Sequence, residues 1–379
     1  MKEKTSKLSQ SLWIFVILIL VFSSMLASCK NEVALIGAGI SHDTKFDSAE
    51  INISIEDFNS LGFNFGDSCN IEFSNGCKIN DVPYYNGYYV KNGQPVIVGY
   101  PSNKKILITY NNVGIWQQES LTENFTVNIT LNKAQKYLAV QEALGQSYPL
   151  ERSAYTTDEQ FSNFRALSGG SLKQNLIYRG ASPVDDSRNR AKITDDLLAK
   201  NNINCIIDLA DSQDNLNYYL TQESFSSVYA KSIYQNGKMI LLSMGSGYSS
   251  LSYKQSVVQG LKFLTENDGP YYIHCMEGKD RTGFVCVLIE ALCGATYQQM
   301  CDDYMVTYEN YYQITLQKTP EKYNAIVSLY FDSFMECLHQ TDNINELKNV
   351  NYVNDAKSYL ISGGMSNEEI EKLLNIISK

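Results

Sequence analysis

The sequence has no excess of positive charge, no closely spaced cysteine pair and no internal repeat. Its 379 residues carry 41 acidic and 31 basic side chains, for a formal net charge of -10, so the basic surface that binds a nucleic-acid backbone is missing. None of its cysteines is spaced C-x-x-C, which disfavours a zinc or redox site built on cysteine. We therefore expect no nucleic-acid partner, no metal and no cofactor.

Long apolar runs are also scarce, and the one near the N-terminus is too short for a comfortable bilayer span. It extends from Leu12 to Leu26 behind a lysine-rich start, as in a secretory signal peptide. The run ends in Leu26-Ala27-Ser28-Cys29, which resembles the lipobox of bacterial lipoproteins, whose cysteine thiol takes the lipid. We expect a signal peptide over residues 1–28 and lipidation at Cys29. The alternative is an uncleaved N-terminal anchor helix.

Both alternatives predict a protein of the bacterial cell envelope that is anchored to the membrane and faces away from the cytoplasm. The polar, glycine-containing residues 29–45 then predict a tether between the membrane and the first domain.

An alternating pattern over residues 46–132 predicts a small all-β module. Its apolar runs are short and are separated by Asn-Gly and Gly-Asp turn signals. Three of them are Ile51–Ile55, Pro95–Val98 and Ile106–Thr109. Cys69 and Cys77 flank an Asn75-Gly76 turn signal, which predicts either a disulfide across a hairpin or two free thiols.

Two aromatic stretches of this module, residues 61–68 and 83–89, resemble the C-terminal β-barrel domain of S-adenosylmethionine hydroxide adenosyltransferases. The catalytic half of those enzymes is not visible in this sequence, so the resemblance implies a barrel and no activity. Four tyrosines of the second stretch either stack on a ligand or form part of the barrel surface or core. They are Tyr84, Tyr85, Tyr88 and Tyr89.

A helical linker over residues 133–149 is followed by alternating strands and helices. This order predicts an α/β domain over residues 150–379, with a central sheet flanked by helices. The predicted strands are Ile203–Leu209 and Pro270–His274. The predicted helices are Tyr253–Thr265, Gly283–Cys293, Gln298–Tyr308, Pro320–Leu338 and Asn367–Ile377.

One strand and the helix after it flank the run His274-Cys275-Met276-Glu277-Gly278-Lys279-Asp280-Arg281-Thr282-Gly283. A C-x5-R pair alone arises often by chance, whereas this whole run between a strand and a helix is specific. A loop that enters a helix turns its N–H groups inward and adds the positive end of the helix dipole, so it can hold a phosphate. The predicted phosphate-binding residues are Met276, Glu277, Gly278, Lys279, Asp280 and Arg281.

The side chains of this run suit nucleophilic attack on phosphorus. The N–H groups of the loop and the positive end of the helix dipole stabilise a thiolate on Cys275, which makes Cys275 a nucleophile. Arg281 offers a planar fork to two phosphoryl oxygens and neutralises charge in the transition state. The Thr282 hydroxyl can hydrogen-bond the Cys275 sulfur and help it leave.

Three further residues of the run have supporting roles. Gly278 and Gly283 allow backbone conformations or close approaches that a Cβ atom would obstruct. His274 braces the loop through hydrogen bonds.

The run resembles the phosphate-binding loop of the cysteine-based protein tyrosine phosphatase superfamily, in the form found in atypical bacterial tyrosine and dual-specificity phosphatases. Other segments also resemble that family over about residues 150–379, and they include supporting residues Arg179 and Asp208. They are Asn163-Phe164-Arg165, Gly169-Gly170, Leu176–Ala181, Ile206–Leu209, Tyr359-Leu360 and Gly364–Ser366. Ala166 and Ala210 depart from the family pattern, which commonly has an acid and an arginine there.

The resemblance implies hydrolysis of phosphate monoesters through a cysteinyl-phosphate intermediate, most directly on a tyrosine- or dual-specificity protein substrate. A phosphoinositide or inositol-phosphate substrate is an alternative, as some relatives accept phosphoinositides. A phosphate-binding pseudophosphatase, whose biological role lies in the β module, is the non-enzyme alternative.

The proton donor to the leaving group is less clearly marked. Asp280 is the first candidate, with a structural ion pair to Lys279 or Arg281 as its alternative. Asp208, Asp211 and Asp214, at the end of a neighbouring strand, form a second set.

Other charged and thiol side chains allow two interpretations each. Lys279 is either a second phosphate-binding cation or a solvated rim charge. Arg165 and Arg179 either contact the loop or pair with acids of the scaffold. Cys205 either forms a protective disulfide with Cys275 or is a buried thiol.

Overall fold

The computed structural model describes residues 33–245 and 247–379, and the chain divides into two compact units, 1–141 and 142–379. The predicted signal peptide, residues 1–28, and the predicted lipidation site Cys29 lie outside the described residues. Within the described ranges, no helix combines the length and the apolar character that a membrane crossing requires.

The first unit is a closed barrel of seven strands, which confirms the predicted all-β module. The strands neighbour one another in the order β1-β2-β6-β5-β4-β3-β7. They are β1 (Ala34–Asp43), β2 (Ser48–Ser54), β3 (Ser68–Phe73), β4 (Lys78–Tyr85), β5 (Pro95–Val98), β6 (Lys105–Tyr110) and β7 (Thr126–Lys133). Helix α1 (Ile55–Ser60) follows β2, and helix α2 (Leu138–Leu144) follows β7.

The predicted tether over residues 29–45 is wrong for its second half, because residues 34–43 are strand β1. This strand closes the barrel by pairing with β2 and β7, with Ile40 opposite Ile51 and Leu35 opposite Ile129. Only Ile40 of the strand is buried. Its glycines and exposed side chains therefore hide the apolar alternation by which a strand is recognised.

The hairpin around the Asn75-Gly76 signal joins β3 to β4, and both of its cysteines are free thiols. Cys69 is buried in the barrel core opposite Val82, not opposite Cys77. The Cys77 thiol donates to Glu119 at 3.2 Å. Burial raises the pKa of Cys69 to about 12 and, together with Glu119, that of Cys77 to about 11, so both remain protonated at neutral pH.

The four tyrosines of the second aromatic stretch divide between core and surface. Tyr84 and Tyr85 are buried, and the Tyr84 hydroxyl donates to Asn59 at 2.7 Å. Tyr88 is exposed. Part of this stretch therefore serves the barrel's packing, and Tyr88 remains at its surface.

The second unit is an α/β domain whose five-stranded sheet has the order β11-β10-β12-β9-β8. Four strands are parallel, and β8 is antiparallel to β9. The strands are β8 (Arg165–Ala166), β9 (Ile177–Gly180), β10 (Cys205–Asp208), β11 (Met239–Leu241) and β12 (Tyr271–His274).

Helices cover this sheet and continue beyond it to the C-terminus. They are α3 (Asp158–Phe161), α4 (Ala191–Lys200), α5 (Gln213–Leu220), α6 (Val228–Gln235), α7 (Leu251–Thr265), α8 (Asp280–Leu292), α9 (Tyr297–Tyr312), α10 (Pro320–Ile326), α11 (Asp332–His339), α12 (Ile344–Leu347), α13 (Val353–Ser362) and α14 (Asn367–Ile377). The single helix predicted for Pro320–Leu338 is interrupted by a π-helical turn, Val327–Phe331. Helix α8 is buried from Thr282 to Leu292, which explains why its sequence is almost continuously apolar.

The register of the parallel strands decides what can meet at the carboxyl edge of the sheet. His274 on β12 lies opposite Asp208 on β10 and Gly180 on β9. The chain segments that follow these three residues therefore leave the sheet side by side, as in other open α/β sheets that place ligands at this edge.

The same register decides between the two interpretations of Cys205, because it rules out a disulfide with Cys275. Cys205 lies opposite Tyr271, at the start of the strand that Cys275 follows. Four strand residues separate the two levels by about 13 Å, far beyond the Cα separation that a disulfide tolerates. Cys205 is instead a buried thiol, and burial raises its pKa to about 12.

Candidate active site

The run predicted to carry chemistry connects the end of β12 directly to the start of α8. Strand β12 ends at His274 and α8 begins at Asp280, so Cys275–Lys279 form the connection. Cys275 is only 3% exposed, and it is a free thiol. A strand, a short loop and a helix thus follow one another as the sequence predicted.

The loop's carbonyls are held by groups from outside it. The Met276 carbonyl accepts from the Ser182 N–H at 3.1 Å. The Glu277 carbonyl accepts from the Tyr311 hydroxyl at 2.9 Å, and the Gly278 carbonyl from the Arg179 guanidinium at 2.9 Å. Each trans peptide points its N–H opposite to its carbonyl, so the N–H groups of the following residues face the other side.

Those N–H groups remain available as donors. In the part of the chain that the structure describes, the N–H groups of Met276–Lys279 donate to no other protein group. The first-turn N–H groups of α8 have no intrahelical partner either. A row of free N–H donors at a helix start is the arrangement that binds tetrahedral anions.

Asn163 braces the loop from the neighbouring segment. It is fully buried, and its side-chain amide donates to the carbonyls of Glu277 and Gly278 at 3.3 and 3.2 Å. Its own side-chain oxygen accepts from Arg165 at 2.7 Å. Asn163 therefore links the loop to a buried charge network.

That network joins Arg165 and Arg179 through Asp303 on α9. Arg165 lies 2.8 Å from Asp303, and Arg179 pairs with the other oxygen of the same carboxylate. Although burial opposes ionisation, the two guanidinium groups hold the pKa of Asp303 below its ordinary value. Arg179 thus fulfils both sequence interpretations, since it contacts the loop and pairs with an acid, whereas Arg165 acts through Asn163 and Asp303.

Arg281 and Thr282 lie in the first turn of α8. The Arg281 guanidinium donates one hydrogen bond to the Met244 carbonyl at 3.0 Å, which fixes its position and leaves other N–H donors of the fork. The Thr282 hydroxyl is fully buried and has no partner among the described residues. The predicted hydrogen bond from Thr282 to the Cys275 sulfur is therefore not formed in this structure.

Beneath the loop lies a buried cluster of His274, Asp208 and Asp211. The His274 ring has Nδ1 3.3 Å from the Cys275 carbonyl and Nε2 3.8 Å from Asp208. Burial lowers the pKa of His274 to about 4, raises that of Asp208 to about 6, and, with the Asp208 charge, raises that of Asp211 to about 7. Burial thus disfavours the charged form of all three groups.

The side chain of Glu277 is turned toward the start of the domain. It accepts from the Tyr148 hydroxyl and lies 3.4 Å from Arg188 Nε. Tyr148 stacks on Tyr311, whose hydroxyl holds the Glu277 backbone, at a ring separation of 4.8 Å. Residues near 148 therefore take part in shaping the loop.

The Tyrosine phosphatase family model matches residues 158–378, which is more than half of the chain. The chain belongs to the tyrosine phosphatase family. The match nearly coincides with the predicted catalytic domain at 150–379, and it makes the second unit that of a tyrosine phosphatase-type hydrolase.

The other comparisons add little to the family assignment. No curated protein matches this phosphatase-family chain. A solved structure, an uncharacterized conserved protein from Thermotoga maritima, is 20% identical over 24% of this chain and 35% of that chain, with a TM-score of 0.22. The chain thus spans about a third of that protein's length, and a TM-score this low gives no information about its fold.

In this phosphatase-family loop, Lys279 and Asp280 form an ion pair. The Lys279 ammonium lies 2.9 Å from the Asp280 carboxylate and 5.8 Å from the rings of Tyr308 and Tyr330. Burial alone would lower the pKa of Lys279, but Asp280 and the tyrosines raise it well above its ordinary value. Lys279 is therefore charged and already paired, and the structural alternative for Asp280 is present in the geometry.

The phosphatase-family loop needs glycine at two positions. Gly278 has φ +66, and a Cβ atom there would lie 2.3 Å from backbone atoms of Gly180. A Cβ atom on Gly283 would lie 2.8 Å from the Tyr304 ring. The need for glycine is stronger at Gly278, because the Gly180 backbone on β9 cannot move away from a Cβ atom as the Tyr304 side chain can.

Gly278→Ala should therefore lower kcat at least about 100-fold and the free energy of unfolding by about 3 kcal/mol. Gly237→Ala is the matched control, since Gly237 also has a left-handed backbone, φ +70, but nothing within 4 Å of its Cβ position. It should cost only the backbone strain, about 1 kcal/mol. Urea unfolding and steady-state kinetics measure both, and equal losses in the two variants would contradict the close approach to Gly180.

Proposed function

We propose that this chain hydrolyses phosphate monoesters on tyrosine, and also on serine or threonine, of protein substrates through a cysteinyl-phosphate formed on Cys275. The proposal rests on the loop Cys275–Arg281. Its carbonyls accept from groups outside the loop, so its N–H groups stay free. The buried Cys275 thiol stands at one end of the loop, and the Arg281 guanidinium, bound to the Met244 carbonyl, stands at the other. This is the chemistry that a phosphate dianion and a phosphorus electrophile require.

In the first step the Cys275 sulfur attacks phosphorus while the bond between phosphorus and the ester oxygen breaks. The loop N–H groups and Arg281 bind the non-bridging oxygens, where charge spreads in the transition state. A proton donor neutralises the leaving oxygen, so an alcohol or phenol departs.

In the second step water attacks the phosphorylated cysteine and the sulfur–phosphorus bond breaks, while the carboxylate that gave its proton in the first step takes a proton from the water. Inorganic phosphate leaves, and the thiolate returns to the loop. The buried Thr282 hydroxyl lacks a partner among the described residues. We assign it to the departing sulfur, which gains a negative charge only in this step.

We keep Asp280 as the proton donor, because it stands at the start of α8 with its side chain 48% exposed beside the loop. In this role Asp280 leaves its ion pair with Lys279 and carries a proton when the substrate binds. Asp280→Asn should lower kcat about 100-fold on a phosphoserine peptide, whose alkoxide leaving group needs protonation, and less than about tenfold on p-nitrophenyl phosphate. Steady-state kinetics on both substrates measure the difference.

Asp214→Asn is the matched control, as Asp214 is an exposed acid of the second set on α5, and it should leave both rates within about twofold. An equal loss on both substrates for Asp280→Asn would show a structural role through Lys279. A selective loss in Asp211→Asn would transfer the role to that buried acid.

The charge around the loop favours a protein substrate over inositol phosphates. Lys279 is engaged by Asp280, and Glu277 adds a second carboxylate, which lies beside Arg188. Several neighbouring phosphates would therefore meet carboxylates as well as cations. Phosphotyrosine peptide, phosphoserine peptide, phosphoinositide vesicles and inositol hexakisphosphate, assayed with Cys275→Ser as blank, test this. Turnover confined to the last two would contradict the protein substrate.

We also propose that the phosphatase acts in the cell envelope, held by a lipid on Cys29. The support is the Leu26-Ala27-Ser28-Cys29 pattern behind a short apolar run. Cys29→Ala should abolish incorporation of an alkyne-labelled fatty acid and release the protein from the membrane fraction, while Cys77→Ala should change neither. Labelling that persists in Cys29→Ala would contradict lipidation at this residue.

A further inference from the structure

The barrel carries a groove of about 830 Å³ on its outer surface, and the phosphatase chemistry does not use it. Strand β6 forms the floor. Its Ile106 and Ile108 point into the barrel core, whereas Leu107 and Thr109 lie on the opposite face and line the groove. This volume lies within the range typical of small-molecule sites.

The floor is buried although it lies outside the barrel. Leu107 is 4% exposed and Thr109 is 3% exposed, and Ser48 on the neighbouring strand is fully buried. Loops before β2, around Tyr100 and after β6 rise beside these residues. The outer face of β6 is therefore built as a recess and not as an ordinary solvent face.

Three exposed aromatic rings form the walls of the groove. They are Phe46, Tyr88 and Tyr100, with exposed fractions of 56%, 36% and 44%. The rings of Tyr88 and Tyr100 lie 6.5 Å apart. Burial raises the pKa of Tyr88, and the nearby Asp43 and Tyr100 raise it further. The side chains of Tyr88, Asp43 and Tyr100 therefore lie close together. Exposed rings gathered in one recess mark a binding surface more strongly than rings scattered singly.

The polar groups of the rim, and not those of the floor, offer hydrogen bonds to a ligand. The Ser48 and Thr109 hydroxyls each donate to a backbone carbonyl nearby, at 3.4 and 3.2 Å. With Ser48 fully buried and Thr109 only 3% exposed, neither oxygen is open to a ligand, and both hydroxyls serve the fold. Asp43 at the rim adds carboxylate oxygens, and Asn103 and Asn112 add amides that both donate and accept.

The charges of the groove exclude a phosphorylated ligand. Among the described residues that line it, Lys45 is the one cation, against Asp43 and Asp47. Asp47 is committed to the fold, since it lies 2.8 Å from His42 and accepts from the Gln117 N–H. A ligand for this groove is therefore uncharged, has flat apolar faces for the rings, and carries many hydroxyl donors.

We propose that the groove on β6 binds a neutral oligosaccharide. Its sugar faces stack on Tyr88, Tyr100 and Phe46, while its hydroxyls hydrogen-bond Asp43, Asn103 and Asn112 at the rim. A proline-rich peptide would also stack on the rings, but it has few donors for these acceptors. The groove thus gives the barrel a binding function separate from the phosphate loop.

The test is a calorimetric titration of the full chain with the hexasaccharides of chitin, cellulose, starch, mannan and xylan. At least one should bind with a Kd of about 1 mM or tighter. Tyr100→Ala should weaken that binding at least about tenfold, and Asn103→Ala, which removes a rim amide, about fivefold. Tyr218→Ala, a change at a 63% exposed tyrosine of the other unit, should leave it within about twofold.

The unfolding temperature and the turnover of p-nitrophenyl phosphate should be unchanged in Tyr100→Ala. A change in either would show that the variant has a folding defect. Absence of binding to all five sugars at about 10 mM, or binding that neither groove variant weakens, would overturn the proposal. So would selective binding of a proline-rich decapeptide that Tyr100→Ala abolishes.

Discussion

Replacement of Cys275 by serine should lower kcat at least about 10⁴-fold on every phosphate monoester that the chain hydrolyses. A serine hydroxyl is almost un-ionised at neutral pH and is a far weaker nucleophile than a thiolate. The loop's shape should survive, because its carbonyls are held by Ser182, Tyr311 and Arg179 and not by the sulfur. Steady-state kinetics measure the loss, and calorimetric titration with phosphotyrosine peptide measures the retained binding.

Cys337→Ser is the matched control for this change. Cys337 is a partly buried free thiol on α11, away from the loop in sequence, and its replacement should leave kcat within about twofold. Activity retained by Cys275→Ser, or lost equally by both variants, would remove Cys275 from the reaction.

Arg281→Lys should lower kcat about 100- to 1,000-fold and weaken orthovanadate binding, although the positive charge is retained. The Arg281 guanidinium uses one donor on the Met244 carbonyl. In the proposed mechanism its remaining donors bind two oxygens of one phosphoryl group. A lysine ammonium is a single point of charge, so it cannot hold that carbonyl and two phosphoryl oxygens in the same geometry.

Arg188→Lys tests whether charge alone matters at the loop. Arg188 lies 3.4 Å from Glu277 and is 41% exposed, so a lysine should replace it with less than about a threefold change in kcat. If Arg281 had a purely structural role, Arg281→Lys would lower the free energy of unfolding and would leave the ratio of the vanadate Kd to KM unchanged. That result, or equal effects of the two changes, would contradict the transition-state role.

The sequence was sufficient to predict the local arrangement of the phosphate loop. A strand, the run Cys275–Arg281 and a helix are neighbours along the chain, so local signals decide their order. The helix start at Asp280 and the strand end at His274 lie within a few residues of their predictions.

Contacts between distant segments were not predictable in the same way. Asn163 was recognised as part of a motif, but its bonds to the loop carbonyls join residues more than 100 positions apart. Asp303 and Tyr148 carried no signal of their own. The presence of two arginines in strand-like segments, which need a buried acid, was the one available hint for Asp303.

Register explains what the sequence left open at Cys205 and what it missed at β1. The sequence places Cys205 on a strand beside β12, but only the pairing of Cys205 with Tyr271 shows that it lies at the wrong level for Cys275. Strand β1 was missed because a strand with a single buried residue, Ile40, lacks alternation. Both are long-range properties, since pairing partners lie elsewhere in the chain.

Chemical trapping of the covalent intermediate tests the central claim most directly. The chain is mixed with a phosphotyrosine peptide, quenched in acid within milliseconds and digested, and the peptides are analysed by mass spectrometry. We predict one added phosphoryl group on the peptide that contains Cys275, formed in a burst and absent in Cys275→Ser. Turnover without that adduct, or a phosphoryl group on a different residue, would contradict the mechanism.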